Sequence, residues 1–158
     1  MKRPKATPNG IRLVFTRVEA DLLSSVADQL VDLLGEADDH VGDAALERLL
    51  PDGYRGSAED ADEFRRFTQT ELVDEKVAGA QAIVAGLASR AESGDAALML
   101  SKEQATRWLR SINDIRLALA SRLGIVDETF RPTPGDDNFA IYSWLGMVQW
   151  SLLRAVDR

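Results

Sequence analysis

An all-α domain, four to five helices in one bundle-like body with a small N-terminal β-hairpin, is the fold class this sequence predicts. Three observations predict it. Apolar residues recur at helical spacing through most of the chain. Two capping boxes, Thr16-Arg17-Val18-Glu19 and Ser101-Lys102-Glu103-Gln104, mark helix starts. Strand composition is confined to the first residues. The 158 residues suit one domain, with a hairpin arm over 1–16 and a helical body over 17–158.

The elements follow in order. Asn9-Gly10 is the favoured two-residue hairpin turn, and Ile11-Arg12-Leu13-Val14-Phe15 has strand composition. Pro4 confines the first arm to an edge. From the Thr16 capping box a helix runs to about Leu34, with Gly35 as its C′ stop and a core stripe of Leu23, Val26, Leu30, Leu33 and Leu34. An acidic loop, 36–43, leads to a short helix over about 44–50, stopped by Pro51, and Asp52-Gly53 makes a turn.

A long helix, continuous or kinked near Thr70, begins near Ser57 and ends near Ser89. Phe64 and Phe67 start its buried face, and Val73, Val77, Ala80, Val84 and Leu87 continue it. After a linker at 92–95, the Ser101 box opens a helix carrying Ala105, Trp108, Leu109, Ile112, Ile115, Leu119 and Leu123, ended by Gly124. Pro132 and Pro134 keep 129–135 out of helix. Asp136 or Asp137 caps a last helix to about Val156. That helix is apolar on every side, so it is either central or covered by a second subunit. A homodimer through Trp144, Met147 and Trp150 is the expectation.

Composition excludes much chemistry. There is no cysteine and one histidine, His40. Disulfides, zinc–thiolate sites, iron–sulfur clusters and cysteine nucleophiles are excluded. No phosphate-binding glycine loop or nucleophile elbow is present, and His40 among carboxylates matches no calcium loop. No enzyme activity, catalytic residue, metal or cofactor is expected. Glu71, Asp74 and Glu75 beside Lys76 read as a surface charge network rather than an acid/base pair.

Lys and Arg number 19 against 26 Asp and Glu, a net charge of −7. An acidic body is repelled by nucleic acid and anionic membranes, so neither direct DNA binding nor a membrane partner is expected. Arg107, Arg110, Arg116 and Arg122 share one helix but lack a compact helix–turn–helix context, and Arg110 can pair with Asp114 at i+4. No apolar run approaches the roughly 20 residues of a membrane span and no signal peptide is evident, which favours the cytoplasm.

Arg116 lies on the apolar stripe of its helix, bordered by Asn113. A core-facing arginine needs a partner, and Glu71 or Asp74 on the preceding long helix is the expected one. The alternative is an anion or small-ligand pocket formed by Asn113, Arg116, Glu71 and Tyr142. The acidic segment 36–63, with Asp38, Asp39, Tyr54 and Arg55, is the candidate partner-binding surface.

Four stretches carry a family resemblance: Glu47-Arg48-Leu49-Leu50-Pro51-Asp52-Gly53-Tyr54-Arg55, Glu71-Leu72-Val73-Asp74-Glu75-Lys76, residues 100–125 centred on Trp108-Leu109-Arg110-Ser111-Ile112-Asn113-Asp114-Ile115-Arg116-Leu117-Ala118-Leu119, and Phe139-Ala140-Ile141-Tyr142-Ser143-Trp144-Leu145. In this order they resemble an actinobacterial family of unknown-function domains typified by the AosR oxidative-stress regulators. The resemblance implies a cytoplasmic helical regulator linked to redox-responsive transcription through a stress sigma factor. It also implies a gene neighbourhood shared with the ClpS protease adaptor, hence the alternative of an accessory to Clp proteolysis. Without cysteine, this chain has no disulfide switch, and oxidation of Met99 or Met147 is a poor substitute if both are buried. The expected function is that of a non-enzymatic transcriptional regulator acting through protein contact, with a sigma factor as the candidate partner.

Overall fold

The computed structural model describes residues 1–36, 43–50, 59–90 and 93–158. Asp38, Asp39, His40, the 52–53 turn, Tyr54, Arg55 and the Phe64 side chain lie outside the described residues. The elements are β1 (Lys2–Thr7), β2 (Gly10–Phe15), α1 (Arg17–Gly35), α2 (Ala44–Leu49), α3 (Glu59–Ala88), β3 (Ala96–Leu100), α4 (Lys102–Leu123) and α5 (Asp137–Val156). The fold is mainly helical, but it is not all-α. A three-stranded antiparallel sheet, in the order β1-β2-β3, replaces the expected hairpin.

The turn differs from the expected one. Thr7 pairs with Gly10, so Pro8 and Asn9 form the loop. Proline holds the φ that the first corner of an ordinary turn needs, and among the described residues only glycines have positive φ. Gly10 sits at φ 130°, where a Cβ would stand 2.4 Å from the Leu100 carbonyl oxygen. That close approach joins the turn to the end of β3. The register of β1 breaks between Lys2 and Lys5, around Pro4, and β1 is an edge strand as expected. On β2, Ile11, Leu13 and Phe15 alternate into the core, and Ala96 and Leu100 of β3 join them.

Both capping boxes form. The Thr16 backbone N–H donates to Glu19 Oε2 at 2.8 Å and the Glu19 N–H donates to Thr16 Oγ1 at 3.3 Å. The Ser101 N–H donates to Gln104 Oε1 at 2.8 Å and the Gln104 N–H donates to Ser101 Oγ at 3.1 Å. Gly124 ends α4 in the left-handed conformation. Gly35 does not act that way. It is the last residue of α1, and Glu36 caps it with an ordinary negative φ.

The expected stripe of α1 is buried throughout. α3 runs unbroken, and its fully buried apolar side chains, Ala80, Ile83 and Leu87, fall in its C-terminal part. Phe67, expected in the core, is 64% exposed. At 1.5 Å per residue α3 is about 45 Å long and its main partner α1 about 28 Å, so α1 is too short to line the whole of α3. Trp108 of α4 is buried and stacks on Phe15 at 6.4 Å between ring centroids. α5 is not central. It packs on α4 and β1 through Leu145, Val148, Leu152 and Ala155.

Candidate functional site

Three of the four predicted ligand residues come together where α4 meets α5. Tyr142, Gly146 and Gln149 form an i, i+4, i+7 stripe on α5. The Arg116 guanidinium lies over this stripe, its central carbon 4.4 Å from the Tyr142 ring centroid. Arg116 Nη1 donates to Gln149 Oε1 at 2.9 Å, and Gln149 Nε2 donates to Asn113 Oδ1 at 3.4 Å. Gly146 makes room: a Cβ there would sit 3.2 Å from Arg116 Nη2. Glu71 is not part of the group. It is exposed on α3. Arg116 therefore turns toward α5 instead of pairing with Glu71 or Asp74, because a ring face and an amide receive its charge there. Its Nε is buried without a hydrogen-bond partner among the described residues.

The expected ion pair between α3 and α4 exists, with other residues. Lys76 Nζ lies 2.8 Å from Asp114 Oδ1. Burial pushes the Asp114 carboxyl above the usual carboxylate range, and the Lys76 hydrogen bond only partly offsets this. Arg110 does not pair with Asp114 but stands 3.8 Å from Glu75, an exposed contact of little energetic weight. These groups line an open groove of about 930 Å³ between α3 and α4, with Arg107, Lys102 and Ser111. Ser111 is buried under Gly79, where a Cβ would come 2.5 Å from its hydroxyl oxygen. The groove mixes both charge signs and offers no concentrated field.

The arginines of α4 diverge. Arg107 and Arg110 line this groove, Arg116 faces α5, and Arg122 borders a small recess beside Val26 and Leu30. They do not share one face. No group of histidine, aspartate and glutamate that could hold a metal ion occurs among the described residues. No helix among them is long and apolar enough to cross a membrane.

The outer face of α5 is the third feature. Met147 is 63% exposed, Trp150 61% and Leu153 40%. Trp144, expected on the same face, is half-buried against the core. Met99 is also exposed, beside the Thr7 hydroxyl on β1. The condition that would have protected both methionines from oxidants is therefore not met.

Sequence reasoning missed Gln149 and the Lys76–Asp114 pair. The Tyr142, Gly146, Gln149 stripe was a usable signal, because a glycine between an aromatic and an amide on one helix face leaves space for a planar cation. Lys76 gave none, since lysines beside carboxylates abound on exposed helices.

Fold and surface together define a mainly helical domain that closes one side with a three-stranded sheet and leaves an apolar helix face open. The chain belongs to the family described as Domain of unknown function (DUF2017), whose model matches residues 1–156. It is similar to proteins named Oxidative stress regulator AosR from Mycobacterium bovis and Mycobacterium tuberculosis. It is 30% identical to each over 146 residues, covering 80% of this chain. The match spans 65% of the length of those relatives. No solved structure matches the chain.

Proposed function

We propose that this chain is a non-enzymatic, stress-linked regulator of transcription that works through protein–protein contact. The observation that carries this reading is the outer face of α5, where three large apolar side chains stand open on a well-packed helix. Large apolar side chains left exposed together on one helix mark candidate interaction sites. The relatives' name, oxidative stress regulator, gives the process. A sigma factor is the partner class proposed, met through the acidic segment 36–63, since negative charge suits a basic protein surface better than DNA. A disulfide within this chain plays no part, because the chain has no cysteine.

The test is capture on the immobilised chain of purified RNA polymerase core and purified sigma factors, each separately, at physiological salt. Retention of one component, lost when Asp38 and Asp39 are changed to Asn, supports the proposal. Retention of none overturns it.

A second reading, anion sensing, is favoured by one observation, the buried Arg116 Nε without a partner. A ligand at 100 times its dissociation constant adds about 2.7 kcal/mol of stability. A thermal-shift series with acetate, phosphate and free amino acids in which none stabilises the protein rules this reading out.

A further inference from the structure

The outer face of α5 carries a periodicity of its own. Ala140, Ser143, Met147, Trp150 and Arg154 follow along α5 at steps of three, four, three and four, and the half-buried N-cap Asp136, whose carboxylate accepts from the Asn138 and Phe139 N–H groups, stands four residues before Ala140. This is the 3.5-residue repeat of a helix that pairs along a seam with another helix. Ala140, Ser143, Met147, Trp150 and Arg154 are all exposed, and the opposite face is already spent on α4 and the sheet. Within one chain, the seam has no cover among the described residues.

We propose that a second copy of the chain covers this seam, α5 against α5, antiparallel, about a two-fold axis at the level of Leu145. The inference deepens the protein-contact reading above and rests on it. Size and charge along the seam select both the occupant and the register. About that axis, Met147 faces the partner's Ser143, and Trp150 faces the partner's Ala140. Arg154 faces the partner's Asp136, with Asp137 beside it. Each bulky side chain meets a small one, and each cation meets carboxylates about 13.5 Å from the axis level.

A parallel pairing stacks Trp150 on Trp150 and sets Asp136 against Asp136 and Arg154 against Arg154. Of the two neighbouring antiparallel registers, one sets Trp150 against Met147 and Arg154 against Ser143 and leaves Asp136 beyond the pairing, and the other sets Met147 against Asp136 and carries Trp150 and Arg154 past the start of the partner's helix. Antiparallel alignment also opposes the helix dipoles favourably. The Arg154 guanidinium lies 5.9 Å from the Trp150 ring, so the cation and the anchor ring belong to one patch. An isologous contact of this kind is what a two-fold dimer requires.

The absence of cysteine makes the test clean. By sedimentation equilibrium the wild-type chain is expected at twice 17.4 kDa. Arg154→Glu is expected to weaken association about tenfold or more, through like charges facing each other. Adding Asp136→Asn and Asp137→Lys, which keeps a capping side chain, is expected to restore it. Chains carrying Ala140→Cys mixed with chains carrying Trp150→Cys are expected to form a disulfide, and neither variant alone is. Like positions lie about 15 Å apart along the seam, whereas unlike ones face each other.

A wild-type mass of 17.4 kDa overturns the proposal. So does a dimer indifferent to both Arg154→Glu and Trp150→Asp, or cross-linking within each cysteine variant alone, which marks a parallel pair. A seam filled by a different protein appears as a monomer that binds that protein through Trp150, and it overturns the self-association equally. Mass and cross-links report on the seam only. Loss of the dimer and failure to capture a transcription component are therefore separate results.

Discussion

The contact between Arg116 and Tyr142 predicts a measurable coupling between α4 and α5. The guanidinium carbon stands 4.4 Å from the ring centroid, inside the range of a strong cation–π contact. Arg116 is half-buried, so the contact lies between the exposed and desolvated limits, about 1 kcal/mol. Arg116→Met alone does not reveal it. That change also removes the hydrogen bond to Gln149, a loss of about 1.5–3 kcal/mol, and relieves the buried Nε, a gain of about 1–3 kcal/mol. The two nearly cancel. A double-mutant cycle of Arg116→Met and Tyr142→Leu isolates the pair, and equilibrium urea unfolding supplies the four stabilities. The expected coupling is about 1 kcal/mol, or about 2–4 °C in Tm for a chain of this size. A coupling within about 0.3 kcal/mol of zero refutes the reasoning, and leaves Arg116 as a side chain held by its amide partner alone.

Four further outcomes are expected. Gly86→Ala gains about 1 kcal/mol in helix propensity, but its Cβ would sit 2.9 Å from the Trp108 ring. Overpacking against that buried ring outweighs the gain, so thermal unfolding should show a loss of about 1 kcal/mol. Gly35→Ala, with nothing within 4 Å, should stabilise by about 0.5–1 kcal/mol in the same assay. The raised carboxyl of Asp114 gives a pH dependence of definite sign. Its unfolded form loses a proton first, so its contribution to stability falls as pH rises from below its ordinary value of 3.8 through the higher folded value. Asp114→Asn mimics the protonated form, so its stability relative to wild type should rise as pH increases from below 3.8; a flat difference contradicts the burial argument. Dilute peroxide followed by peptide mass analysis should oxidise Met99 faster than Met147 in the wild type, and the two comparably in Arg154→Glu, because the proposed second copy would cover Met147, which is 63% exposed in the single chain.

Most of the helical framework was legible because local signals agreed with the tertiary fold. Thr16 and Glu19, Ser101 and Gln104, and Gly124 each act as their positions imply. β3 was not legible. Ala96-Ala97-Leu98-Met99-Leu100 contains no β-branched residue and consists of helix formers. Its extended form comes from pairing with β2, a long-range interaction that local propensity does not carry. Phe67 was misplaced for a related reason, since a periodic stripe does not show how far its partner helix reaches. At the site, the meeting of Asn113, Arg116 and Tyr142 was legible, and the partner of Arg116 was not. Charge suggested a carboxylate, whereas the packing of α4 on α5 supplied a ring face and an amide. A helix apolar all round left two outcomes, a central helix or an outer face covered by a second subunit; the exposure of Met147 and Trp150 sets the first aside.

The most direct test of the central claim, that the open face of α5 is a protein-binding seam completed by a second copy, is the mass of the wild-type chain in solution. Light scattering during size exclusion, at low and at high salt, is predicted to give twice 17.4 kDa in both. The apolar centre at Met147 and Trp150 holds the pair while salt weakens only its charged ends. A single species of 17.4 kDa at both salt concentrations contradicts the claim.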